Sequence, residues 1–332
     1  MSVTVCSLEE FNARIDAIGP GVPDAAGHQS LSVLTIHHPA ADRMRRMDPF
    51  SPAYRKAALD LYFDLRGRAG DGYQAARDEM SEGTPPSNAF TDVTPWCFQD
   101  TAMVAEFLDC WAQILRAMAL PANSGASVLE YGPGSGQMLL MMARMGIHAH
   151  GVDIDQASLD SLRRQADAMG VPLETERAEF GEGFAGKQFD RIFFFEAFHH
   201  AFEFEALLLR LHERLKPGGR LILCGEPVLH SDSPGVPYPW GPRLDALSVF
   251  CMRRYGWMEL GFSHEFLMEL LGRTGWYVEF NRPTNSARAL IYIAQRQCDR
   301  PAEDAPKPAP LLPPPPRFRR RVCNKLRRMT GW

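Results

Sequence analysis

Two hydrophobic periods divide this chain. From Ser127 onward, short apolar runs alternate with segments that carry apolar residues every three or four positions, the pattern of a parallel sheet covered on both faces. Strands are predicted at Val128–Tyr131, His148–Asp153, Leu173–Ala178, Phe189–Glu196 and Arg220–Gly225. Helices are predicted between them at Gln137–Met145, Ser158–Met169 (stopping at Gly170) and Phe204–Leu215. Phe189–Glu196 is so apolar that it suits only the middle of a sheet. Lys216-Pro217-Gly218-Gly219 forms the turn into the fifth strand. A late helix, Ser263–Arg273, precedes two closing strands, Trp276–Phe280 and Ala289–Gln295.

Upstream the pattern is mixed. Leu31–Ile36 reads as a short strand, and Ser51-Pro52 as an N-cap with a first-turn proline, opening a helix that stops near Gly67. Glu82 to Pro95 is loop-like. Asp100 then caps a helix whose stripe is Val104, Phe107, Leu108, Trp111, Ile114, Leu115 and Met118, with Pro121 ending it. The predicted organisation is an N-terminal extension over 1–95, capping an acceptor site, and a main domain over 96–299 with an insertion at 226–262. A proline-rich linker at 300–316 holds eight prolines, and the tail at 317–332 has seven Arg or Lys and no acid. Phe318, Val322, Leu326 and Met329 fall on one helical face of that tail. It reads either as a peripheral contact with anionic membrane or a partner enzyme, or as a solvated end.

Composition narrows the class. The 332 residues are 45% hydrophobic and 23% charged, values of a globular protein with a full core. A formal charge of −4 gives no reason to expect nucleic acid as partner. Seven scattered cysteines, with no Cys-x-x-Cys, argue against a disulfide framework and a structural zinc site. No signal peptide and no membrane-spanning run is evident, so the expected location is cytoplasmic, or peripheral at the inner membrane surface.

The first core strand runs into Glu130-Tyr131-Gly132-Pro133-Gly134-Ser135-Gly136, and the second ends on Asp153. Three alternate glycines let the backbone turn sharply and approach a ligand that a Cβ would push away. Asp153 follows at about the 20-residue spacing expected of a carboxylate that accepts from ribose hydroxyls, so a nucleoside-containing cofactor is expected. A dinucleotide fingerprint needs its third glycine one position later than Gly136, where this chain has Gln137.

This stretch resembles motif I of the class I S-adenosylmethionine (SAM)-dependent methyltransferases, and the element order matches that family over about residues 125–296. The resemblance implies a doubly wound α/β fold with a seven-stranded sheet whose last strand is antiparallel. By that resemblance Glu130, Gly132, Gly134, Gly136, Asp153, Glu179, Phe180 and Glu196 are cofactor-binding residues. Glu130 would sit near the cationic methionine end, Asp153 on the ribose, and Glu179-Phe180 against the adenine.

Glu196-Ala197-Phe198-His199-His200 ends the fourth strand, where open α/β sheets bind ligands. The family often places His-His here, and a histidine suits removal of a hydroxyl proton near neutral pH. His200 is favoured as the base, with His199 the other candidate, and Glu226 stands where the family can add an acid after strand five. The alternative is that the pair only packs. Zinc held by His199, His200 and Glu203 is disfavoured by spacing, so no metal is expected. The insertion is dense in aromatics and arginines, including Tyr238, Trp240, Arg243, Arg253, Arg254, Tyr255 and Trp257. It resembles methyltransferases found among bacterial surface-polysaccharide enzymes and suggests a polyhydroxylated or phosphorylated acceptor. The function expected from these resemblances is O-methylation of a sugar hydroxyl in a cell-surface glycan or its precursor. The rivals are a small-molecule or lipid methyltransferase, a nicotinamide oxidoreductase, and a non-catalytic scaffold docking glycosyltransferases.

Overall fold

The computed structural model describes residues 4–18, 30–70, 72–79, 88–121, 124–229, 233–283, 285–286 and 288–299. The chain divides between Asp299 and Arg300 into two units, Met1–Asp299 and Arg300–Trp332. The linker and tail expected at 300–316 and 317–332 lie outside the described residues, as do 82–87 of the expected loop.

The strands are β1 (Thr4–Ser7), β2 (Leu34–His37), β3 (Ser127–Tyr131), β4 (His148–Asp153), β5 (Leu173–Arg177), β6 (Phe189–Phe195), β7 (Leu215–Cys224), β8 (Val228–Leu229), β9 (Trp240–Pro242), β10 (Leu260–Ser263), β11 (Trp276–Asn281) and β12 (Ile291–Arg296). The α-helices include α1 (Leu8–Ile18), α2 (Pro39–Met44), α3 (Pro52–Arg66), α4 (Ala75–Asp78), α5 (Thr101–Met118), α6 (Gln137–Arg144), α7 (Gln156–Met169), α8 (Phe204–Arg214), α9 (Ala246–Tyr255) and α10 (His264–Arg273).

Seven strands form the main sheet in the order β11-β12-β7-β6-β3-β4-β5, and β12 runs antiparallel to both of its neighbours. β5, β4, β3, β6 and β7 are parallel. The expected α/β fold with a seven-stranded sheet is therefore the one observed. Side-chain alternation explains the two covered faces. Val128, Phe193 and Ile222 point to α5 and α6, where Phe107, Trp111 and Leu139 bury them. Leu129, Tyr131, Phe194 and Leu223 point to the opposite face and share a core with Leu207, Leu208 and Leu211 of α8.

Local chemistry fixes the helix ends. Ser51 Oγ accepts from Tyr54 N–H and Gly67 closes α3 at φ 70°. Asp100 Oδ1 accepts from Ala102 and Met103 N–H, worth about 1 kcal/mol as a cap. α7 starts two residues before the expected Ser158, because Asp155 accepts from both Ala157 and Ser158 N–H. The expected strand at Leu31–Ile36 is displaced to Leu34–His37, with Leu31 in a helical turn before it.

The N-terminal region and the insertion pack together over one face of the sheet. β1 and β2 form a parallel pair, while β8, β10 and β9 form a small sheet within the region 226–263. Tyr54 OH of α3 donates to Trp240 O (2.6 Å), and Tyr62 OH to Gly256 O (2.6 Å). Arg55 lies against the rings of Phe202, Phe204 and Trp240 and donates to Phe202 O (2.7 Å). These contacts clamp α3 onto the segment that carries the two histidines. Among the described residues, no helix is long and apolar enough to cross a membrane.

Candidate active site

A crevice of about 940 Å³ opens beyond the carboxyl ends of β3, β4 and β6. Its floor is the turn after β3. Gly134 takes φ 50°, and a Cβ built there would meet no protein atom within 4 Å, so the backbone presents itself bare to the crevice. Gly136 (φ 65°) is glycine for another reason: its Cβ would lie 2.2 Å from Leu162 Cδ1. Gly136→Ala should therefore destabilise the fold by about 1–3 kcal/mol through left-handed strain and overpacking, read as a lowered midpoint in chemical denaturation.

Asp153, Glu179, Phe180, Glu196 and His200 line this crevice with Gly132 and Gly134. Asp153 Oδ1 accepts from Asp155 N–H (2.9 Å) and Oδ2 from Gly134 N–H (3.5 Å), tying the acid to the turn. Burial pushes its carboxyl up, and the backbone donors offset part of that shift. Glu179 Oε1 accepts from Ala76 N–H at 3.4 Å, and the Phe180 ring meets Phe194 edge-on at 5.4 Å. Glu196 adopts φ 51°, uncommon for a residue with a side chain, and pairs with Arg288 Nε at 3.3 Å. Burial raises its carboxyl as well.

Glu130 is placed differently from the other acids. It is 2% exposed, lies under the turn rather than in the crevice wall, and its Oε2 has no hydrogen-bond partner. Burial first, and the neighbouring Asp153 charge second, hold its carboxyl well above the ordinary range. The crevice wall contains seven Asp and Glu residues against one arginine, Arg210. Such a lining attracts cations and disfavours anions.

The two histidines diverge although they are adjacent. They sit on a single 3₁₀ turn, Phe198–His200, with ring centroids 4.3 Å apart. His199 is buried, and its Nδ1 donates to Glu226 Oε2 at 2.8 Å. Glu226 also accepts from the backbone N–H of Ala197 (3.1 Å), Phe198 (3.0 Å) and His199 (3.0 Å), so one carboxylate holds the whole turn. Neither His199 nor Glu226 lines the crevice. His200 does, and its Nδ1 lies 3.2 Å from Glu79 Oε2, an ion-pair contact off the hydrogen-bond line. Burial lowers the pKa of His200, but Glu79, followed by Glu259 and Glu226, outweighs it and raises it to about 9.

Several of these neighbours carried no signal in the sequence. Glu79 and Tyr73 line the crevice beside His200, yet they come from the extension, while Trp257, one of the insertion aromatics expected at the acceptor site, joins them there. Glu259, not Glu203, joins the histidines: ligand-type atoms of His199, His200 and Glu259 lie within 4.8 Å of one another. All three of these residues already have partners: Glu226 on His199 Nδ1, Glu79 on His200 Nδ1, and Arg243 Nη1 at 3.6 Å from Glu259. The aromatics and arginines expected to form an acceptor wall are mostly structural. Tyr238 and Trp240 are buried in the core, Arg243 is held by Asp245 and Glu259, and Arg253 donates to Leu65 O. A phosphorylated acceptor therefore finds no arginine fork from this insertion among the crevice-lining residues described.

Residues 129–223 match a family model described as a methyltransferase domain. An S-adenosyl-L-methionine-dependent Diels-Alderase of Talaromyces variabilis is 34% identical over 116 residues, covering 33% of this chain and 39% of that protein. A ubiquinone biosynthesis O-methyltransferase of Chelativorans sp. is 32% identical over 102 residues, 30% of this chain and 40% of that protein. A ribosomal protein L11 methyltransferase of Thermus thermophilus is 35% identical over 113 residues, 33% and 42% of the two chains. The chain thus spans about two fifths of the length of the curated relatives it matches. Among solved structures, a SAM-dependent methyltransferase of Aquifex aeolicus aligns with a TM-score of 0.42 at 16% identity, covering 60% of this chain and 93% of that one.

Proposed function

We propose that this chain, whose residues 129–223 match a methyltransferase domain, is a SAM-dependent methyltransferase that acts on a hydroxyl oxygen of a small acceptor. The observation that carries the reading is that the bare Gly134 backbone, Asp153 and His200 all face one crevice. The residues fit the cofactor: the turn leaves room where a Cβ would intrude, and the acid-rich wall favours a sulfonium bearing an ammonium group. Bound there, SAM supplies an electrophilic methyl group with a good leaving group already attached.

The protein's own contribution is positioning and proton handling. Gly132 and Gly134 hold the methionine end, Asp153 the ribose, and Glu179 with Phe180 the adenine. His200 takes the acceptor's hydroxyl proton. His199 and Glu226 act behind it by fixing the turn that aims His200. A neutral polyhydroxylated acceptor, such as a sugar hydroxyl in a cell-surface glycan or its precursor, suits this wall better than a phosphorylated one. Lipid and other small-molecule acceptors share the same cofactor residues.

Asp153→Ala should weaken SAM binding roughly 10- to 100-fold, the loss of about 1.5–3 kcal/mol from hydrogen bonds to a charged acceptor. At saturating SAM the turnover number should change little, which steady-state kinetics with varied SAM would check. A panel of sugar, aromatic and lipid hydroxyl compounds incubated with methyl-labelled SAM tests the reading as a whole. Label on a hydroxyl supports it. Binding of SAM with no label transferred to any hydroxyl compound counts against it.

A second reading draws on the Talaromyces variabilis relative, named a SAM-dependent Diels-Alderase. Here the crevice would hold SAM as a fixed cation without consuming it. Demethylated product formed in step with turnover would exclude that reading.

A further inference from the structure

We infer that Glu79, supplied by the N-terminal extension, governs proton acceptance at His200 through a Tyr73–Glu79–His200 relay that opens on the crevice. This rests on the methyl-transfer reading above and names the group that sets its proton chemistry.

The geometry is specific to a buried carboxylate with fixed partners. The Glu79 side chain is 7% exposed. Its Oε1 accepts from Tyr73 OH and from Met258 N–H (2.6 Å), while Oε2 faces His200 Nδ1 at 3.2 Å. Tyr73 OH also lies 3.3 Å from His200 O. Tyr73, Glu79 and His200 all line the crevice. Burial first, and Glu79 second, hold the Tyr73 phenol far above its ordinary range, so it stays a donor to Glu79.

The segment bearing Tyr73 and Glu79 is itself held from below. Arg66 Nη1 pairs with Asp78 Oδ1 at 2.9 Å, and Gln74 N–H donates to Asp78 Oδ2 at 2.8 Å. Gly256 takes φ 71° against it, where a Cβ would come 2.0 Å from Asp78 O. The extension therefore delivers Glu79 to a defined place rather than leaving it on a loose loop.

The other groups around His200 do not take over this role. The His199 ring lies beside it at 4.3 Å, with Nδ1 committed to Glu226. Glu259 faces His199 Nε2 at 3.8 Å and is shared with Arg243 Nη1 at 3.6 Å. Trp257 meets His200 edge-on at 5.8 Å and carries no charge, and Glu203 shares the crevice wall. Glu79 is the carboxylate in ion-pair contact with His200 among the described residues.

With Nδ1 turned to Glu79, Nε2 is left for the acceptor. A pKa raised to about 9 means that the free imidazole is the minor form at neutral pH. Turnover that needs the free base therefore rises with pH and levels off above about 9. Removing the Glu79 charge lowers that pKa, so the rise moves to lower pH while the weaker base lowers the plateau.

The test is a titration of the His200 ring by heteronuclear NMR in the full chain, with Glu79→Gln and Glu79→Asp compared with the parent. It needs neither SAM nor acceptor, so it fails independently of the methyl-transfer reading, which SAM binding tests separately. Glu79→Gln is expected to lower the His200 midpoint by about 1–3 pH units, and Glu79→Asp to retain most of the elevation. The pH of half-maximal turnover should move with it. A purely structural Glu79 would lower stability and turnover in Glu79→Gln but leave both midpoints in place, and that result would overturn the inference.

Discussion

Replacing His200 with asparagine should lower turnover by about 10²- to 10⁴-fold, the usual worth of a positioned general base, while SAM affinity stays near its parent value. The separation of effects follows from the layout. The Gly132–Gly136 turn is anchored to β4 through Gly132 N–H on Val152 O and to Asp153 through Gly134 N–H, and neither contact involves His200. His200 lines the crevice from a separate element, the 3₁₀ turn after β6. Single-turnover rates alongside equilibrium SAM binding would read the two effects separately. A variant that keeps parental turnover would remove His200 from the chemistry, leaving the histidine pair as packing.

Glu226→Leu is expected to have the largest effect on stability of any single change at the site. The side chain is 1% exposed, and its carboxylate accepts from three consecutive backbone N–H groups and from His199 Nδ1. Leucine has similar bulk and no acceptor, so three buried backbone donors and His199 Nδ1 lose their partner. Stranded buried donors cost about 1–3 kcal/mol each, and shared relaxation limits the total to about 3–5 kcal/mol, near the cost of breaking a buried ion pair. For a domain of this size that is a fall in Tm of roughly 6–15 °C, measurable by calorimetry. Glu226→Gln, which keeps an acceptor oxygen, should lose less. An unchanged Tm in Glu226→Leu would mean that the turn holds without its carboxylate.

Much of the sheet was legible in the sequence because each strand's burial is written in its own residues. Phe189–Phe195 lies between β3 and β7 in the middle of the sheet, as its apolar run requires, and His148–Asp153 is found with the expected limits. Caps were equally local: Ser51, Gly67, Asp100 and Gly170 end their helices where their chemistry places them. The glycine turn and Asp153 were readable for the same reason, since a fixed spacing brings them together across two neighbouring strands.

What escaped the sequence depends on contacts between distant residues. Tyr54 meets Trp240 across 186 positions, and Met258 meets Glu79 across 179, separations at which no spacing rule applies. Trp240 and Tyr238 looked like binding surface because aromatics suit both cores and pockets, and only the packing of α3 onto the insertion decides between the two. The histidine pair shows the same limit at short range. Two neighbours on one 3₁₀ turn face different partners, Glu226 and Glu79, and the second partner lies in the N-terminal extension.

The proposed methyl transfer requires SAM to bind in the crevice beside Gly134 and Asp153. Titration calorimetry of the full chain with SAM, and with its demethylated product, measures this most directly. The expected result is saturable binding of one molecule per chain, weakened at least tenfold by Asp153→Ala, about 1.4 kcal/mol or more. Absence of binding heat at ligand concentrations up to the millimolar range, or equal affinity in parent and Asp153→Ala, would contradict it.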